Sequence, residues 1–155
     1  MIKLNYEVLL SESDSIGLTV KEKPLKYNNG RIKGKRIAIR RDLSTSAEKS
    51  CVLAEELGHY YTSTGDILDQ SSITNRKQER RARIWAYNKM IGLNGIVSAH
   101  NAGCRNSYEV AEYLEVTEEF LLEAIQCYRN KYGSFTRLDN YVIFFEPSIG
   151  VFELI

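Results

Sequence analysis

The sequence predicts an α+β fold: a small antiparallel sheet, two long helices, a helical cluster and a C-terminal β-hairpin, in that order along 155 residues. Three observations predict it. Arg36-Ile37-Ala38-Ile39-Arg40 alternates polar and apolar side chains with period two, downstream of the turn-forming Asn28-Asn29-Gly30 and Gly34. Apolar positions then recur at helical spacing, behind residues that cap helices, from Thr45 to Gly133. Finally Tyr141-Val142-Ile143-Phe144-Phe145 and Val151-Phe152-Glu153-Leu154 flank a turn at Pro147-Ser148-Ile149-Gly150.

Taken in order, residues 1–44 are mainly strands. Tyr6-Glu7-Val8-Leu9-Leu10 suits a strand or a short helix, Gly17-Leu18-Thr19-Val20 a short strand, and Arg36–Arg40 a strand with one buried face. Thr45-Ser46-Ala47-Glu48 fits a capping box, in which the threonine hydroxyl meets an orphan N–H and the glutamate reaches back. The helix it opens runs to about Tyr61, with Gly65 as a stop. A second helix spans about Asn75 to Ile91, and its Ala82, Trp85, Ala86 and Met90 would pack on the first. Arg76, Lys77, Arg80, Arg81 and Arg83 occupy its other sides, and Gly92 and Gly95 end it. Residues 96–133 form the cluster, with N-terminal caps at Asn106 and Thr117, and residues 140–155 form the hairpin.

Size and composition set bounds. The length suits one domain, 1–155, with a real core. Apolar residues make up 43% and charged residues 26%, ordinary for a globular protein. A net charge of +1 creates no global field toward nucleic acid or an anionic membrane, though it leaves room for a local basic face. No apolar run reaches the ~20 residues of a membrane span. Met1-Ile2-Lys3-Leu4-Asn5-Tyr6 lacks the layout of a signal peptide. Cys51, Cys104 and Cys127 are odd in number and far apart, which argues against a disulfide framework or a thiolate metal site and for a cytoplasmic location.

The chemistry concentrates at Glu55-Glu56-Leu57-Gly58-His59 and at Glu79 on the next helix. In H-E-x-x-H, two histidines one helical turn apart bind zinc and the intervening glutamate works on a water. Here Glu55 stands where the first histidine would be. Glu55 and His59 share a helix face, zinc accepts both nitrogen and carboxylate oxygen, and Glu79 supplies a third ligand. Glu56, rotated about 100° around the axis, flanks the metal and is the general acid/base. Crowding by Glu55 and Glu79 should raise its pKa. The oxygen-rich shell admits Mn²⁺ or another divalent ion as well as Zn²⁺. Gly58 in mid-helix costs roughly 1 kcal/mol against Ala, a cost that close helix packing would explain. The plainer reading of each residue is a half-buried helix histidine and a solvated Glu79 paired with Arg83. His100, the other imidazole, is expected in a loop.

Residues 53–61, Gly65-Asp66-Ile67, and Lys77-Gln78-Glu79 with Ala82, Trp85 and Ala86 resemble the ImmA/IrrE metallopeptidases. Tyr108 to Leu114, Val116-Thr117 and Tyr132-Gly133 resemble its phage and integrative-element branch. The resemblance implies a zincin-like two-helix core and a zinc-dependent endopeptidase that cleaves a helix-turn-helix repressor and relieves repression. It implies His59 and Glu79 as metal ligands, Glu56 as acid/base and Glu55 in the remaining ligand position. A repressor-binding protein without catalysis, and a metal-free regulatory domain, are the alternative readings. Residues 106–129 resemble a helix-turn-helix pair, but Glu118, Glu119 and Glu123 on its second helix oppose phosphate contact, so direct DNA binding by the protein is not expected. No membrane partner is expected.

Overall fold

A computed structural model describes residues 4–63 and 72–155. The expected helix stop at Gly65, the segment Gly65-Asp66-Ile67 and the first three residues lie outside the described residues. The chain divides into two compact units, residues 1–86 and 87–155.

In the first unit, helix α1 (Tyr6–Ser15) opens on Asn5, whose side chain accepts the Val8 N–H at 2.9 Å. That cap resolves the strand-or-helix ambiguity of residues 6–10 in favour of helix. Strands β1 (Thr19–Lys23), β2 (Gly30–Lys33) and β3 (Arg36–Arg40) follow, and helix α2 spans Ser46–Thr62. The fold class is the α+β class expected, with one difference in the sheet. The strand order is β1-β3-β2, with β1 parallel and β2 antiparallel to β3, so the sheet is mixed instead of antiparallel. The reason is local. Gly34 (φ +61°) closes a two-residue hairpin between β2 and β3. The longer 24–29 connection carries β2 past its neighbour and leaves β3 in the middle.

The inner face of this sheet presents the buried Ile37 and Ile39 to the helices, beside the buried Leu9, Leu53 and Leu57. A polar tie crosses the same layer. Tyr6 donates to Glu22 Oε2 at 3.2 Å and Lys49 Nζ meets Glu22 Oε1 at 2.8 Å, joining α1, β1 and α2. The Lys49 hydrogen bond holds the Glu22 carboxyl below its usual range, while burial and Glu22 push the Tyr6 phenol up to about 12. Thr45 caps α2 as expected, accepting the Glu48 N–H at 3.1 Å. Glu48 reaches back one residue further than a capping box requires, accepting from the Ser44 N–H and hydroxyl.

Helix α3 spans Ser72–Met90, three residues longer at its start than expected. In the second unit come α4 (Gly92–Asn101), α5 (Ser107–Leu114) and α6 (Glu118–Tyr132). Gly92 (φ +62°) breaks α3 from α4, but Gly95 lies inside α4 and ends nothing. His100 therefore belongs to the last helical turn of α4, not to a loop. Asn106 and Thr117 cap α5 and α6 through the Glu109 and Phe120 N–H groups. The C-terminal hairpin is present as β5 (Tyr141–Phe144) and β6 (Gly150–Glu153). A strand not expected from sequence, β4 (Phe135–Leu138), pairs antiparallel with β5 and makes a three-stranded sheet. Its signal is the reversal at Asp139 (φ 53°), in a dipeptide Asp139-Asn140 that favours turns.

Candidate metal and catalytic site

The site is assembled where α2 and α3 touch. Gly58 faces Ala82 so closely that a Cβ on it would lie 2.3 Å from the Ala82 carbonyl oxygen. The helices meet main chain to main chain, the packing that a mid-helix glycine implied. Trp85, one turn further along α3, stacks on Tyr61 with ring centroids 5.0 Å apart and planes 22° from parallel. Tyr60 meets Tyr61 edge-on at 5.2 Å, so both tyrosines pack.

This docking brings His59 and Glu79 together. His59 Nε2 and Glu79 Oε1 are 3.2 Å apart, the imidazole largely covered and the carboxylate half-exposed. Glu79 thus reaches across to α2, against the plainer reading of a solvated charge paired along its own helix. Glu56 projects from α2 toward the sheet and is buried, with 9% of its surface exposed. Burial, and then the charges of Glu55 and Glu79, push its carboxyl up to about 7. Glu55 is half-buried and close enough to contribute to that shift.

The donor chemistry suits a divalent ion. One imidazole nitrogen and two carboxylates match the ligand preferences of zinc, and a third carboxylate stands beside them. Among the described residues, no three His, Cys, Asp or Glu side chains gather as a metal-holding set. The structure joins His59 to Glu79, and Glu55 lies near enough for its charge to act on Glu56.

One residue of the site was not found by sequence reasoning. Gly30, read as part of a turn, begins β2 on the inner face of the sheet, against α2. A Cβ there would lie 3.0 Å from Glu56 Oε1 and 2.6 Å from Val52 Cγ1. The absent side chain makes the space in which the Glu56 carboxylate lies. Only the pairing of β2 with β3, a long-range fact, reveals this.

With the geometry in place, comparison with known proteins gives one match. The family described as the IrrE N-terminal-like domain, Peptidase_M78, matches residues 13–126. No curated protein and no solved structure matches significantly. The matched stretch contains Glu55, Glu56, His59 and Glu79.

Proposed function

We propose, from the premise that this chain belongs to the IrrE N-terminal-like peptidase family, that it is a metal-dependent endopeptidase of a phage or mobile genetic element and that it cleaves a helix-turn-helix repressor. The observation that carries the peptidase reading is the convergence of His59 and Glu79 beside a buried acid, Glu56, on two helices locked at Gly58. His59 and Glu79 would hold the ion, with Glu55 as the third ligand. A bound divalent ion supplies Lewis-acid polarisation of a carbonyl and a more acidic water. In the ion-free site burial and the charges of Glu55 and Glu79 push the Glu56 carboxyl up to about 7, and a bound cation would draw it back toward the base form. Glu56 therefore suits both taking a proton from the attacking water and giving one to the departing amine. Burial of Glu56 favours that exchange by keeping bulk water from the carboxyl.

A second reading, a repressor-binding protein without catalysis, is favoured by one feature of the sequence. Glu55 replaces the first histidine of the motif.

One comparison separates the two. The protein is purified in metal-replete medium, its zinc and manganese content measured, and the repressor encoded beside it added. Bound metal with cleavage by wild type, and none by Glu56→Gln, supports the peptidase. Association without cleavage by metal-loaded wild type supports the binding protein. Metal uptake that survives His59→Ala would remove His59 from the ligand set.

A further inference from the structure

The β1-β3-β2 sheet has a second face, turned away from α1 and α2. The register fixes which side chains share it. Val20, Glu22, Gly30, Ile32, Ile37 and Ile39 point inward, so the alternate residues point out. Six of those outward residues are cations: Lys21 and Lys23 on β1, Arg36 and Arg40 on β3, Arg31 and Lys33 on β2. The remaining outward strand positions are Thr19 and Ala38, so no outward strand position is acidic or aromatic; Asp42, just past β3, is paired with Arg40. Five of the six cations are exposed, and Arg40 is half-buried against Asp42 at 2.6 Å.

This arrangement works against the sheet. Like charges directly opposite across strands are destabilising. Lys33 is paired with Arg36 and Lys23 with Arg40. Lysines often guard exposed sheet edges against aggregation, which would account for β1 and β2. It does not account for Arg36, which lies on the central strand, whereas Arg40 is met by Asp42. A surface that carries self-repulsion at its middle is matched to an external polyanion.

We propose that this face binds a nucleic-acid duplex through its phosphates. Strands ~4.8 Å apart with same-face residues ~7 Å apart give a compact, flat grid of cations. An unbroken row of phosphates supplies negative charge at comparable density, whereas protein surfaces intersperse both signs. An anionic membrane fits less well, because the face offers no apolar side chain to enter the lipid. A single strand fits less well, because no outward strand position carries an aromatic residue on which bases could stack. Binding of this kind is independent of base sequence.

The test measures binding of a labelled DNA duplex of arbitrary sequence to the full chain by fluorescence anisotropy across a salt series. Wild type should bind, with log K falling steeply against log salt. Lys21→Gln/Lys33→Gln/Arg36→Gln should weaken binding by about tenfold or more and reduce that slope by roughly 2.7, at about 0.9 per phosphate contact. A control variant on α3, Arg76→Gln/Arg80→Gln/Arg83→Gln, should keep the wild-type slope. Removing like charges should leave the melting temperature unchanged or raised. Should the triple variant fail to fold, Lys33→Gln alone is expected to lower the slope by about 0.9. No binding by wild type, an unchanged slope in the sheet variants, or a loss confined to the α3 variant would overturn the proposal. So would tighter binding to phosphatidylserine vesicles, to polyglutamate or to single-stranded DNA.

Discussion

Glu56 couples the folding of the first unit to pH. Its carboxyl titrates at about 7 in the folded chain, above the 4.5 of a free glutamate. The unfolded chain therefore ionises first, and the folded state loses stability as pH rises through the folded pKa. Below pH 4.5 this stabilising contribution is fully present, and above 7 it is gone. The difference corresponds to an effect on the order of 3 kcal/mol in metal-free protein. Glu56→Gln should abolish it, so the variant should melt higher than wild type at pH 8 and similarly at pH 4. Equal melting curves for the two proteins at pH 8 would contradict the assignment. Gly30 makes a second residue-scale prediction. Gly30→Ala places a methyl group against both Val52 and Glu56. Adding Val52→Ala relieves the first contact and leaves the second, so the double variant should regain most thermal stability. The displaced Glu56 should still show an altered carboxyl ¹³C shift. A wild-type shift in both variants would mean that the glycine serves only the packing.

At the scale of elements, the α2–α3 contact decides whether the site exists. Gly58→Ala gains about 1 kcal/mol of helix propensity. It also drives a methyl group to 2.3 Å from the Ala82 carbonyl oxygen, where main chain, not a flexible side chain, must yield. Overpacking of this kind costs typically 1–3 kcal/mol, so the steric term wins. The variant should melt lower than wild type by several degrees and lose metal affinity as α2 and α3 move apart. A variant as stable as wild type would show that the helices slide freely. Local signals made these elements legible: caps at Thr45, Asn106 and Thr117, helical periodicity after each, and alternation at Arg36–Arg40. So were His59 and Glu79 as neighbours, because motif spacing and a following helix constrain where they meet. Strand order was not legible, since it depends on which edge of β3 receives β1. For the same reason the approach of Gly30 to Glu56 could not be read from sequence. β4 was missed because Phe135-Thr136-Arg137-Leu138 is too short to show a period.

Across the whole molecule, charge is unevenly shared. Residues 1–86 hold 16 Lys and Arg against 11 Asp and Glu, and residues 87–155 hold 5 against 9. The two excesses nearly cancel, giving a net charge of +1 and an isoelectric point near 7.7. Two units of opposite sign with little net charge between them favour association between copies at low ionic strength. Light scattering at pH 7.7 should therefore rise as salt is removed and fall again when about 0.3 M salt screens charges beyond a few ångströms. Scattering that does not respond to salt would argue for apolar self-association instead. The Gly58–Ala82 contact has a further consequence for how this architecture drifts over generations. Because carbonyl abuts Cα, the gap between His59 and Glu79 is gauged by atoms that every amino acid carries. Methylene groups elsewhere in the interior are free to be traded for one another while that gauge, and with it the bite offered to a cation, stays constant.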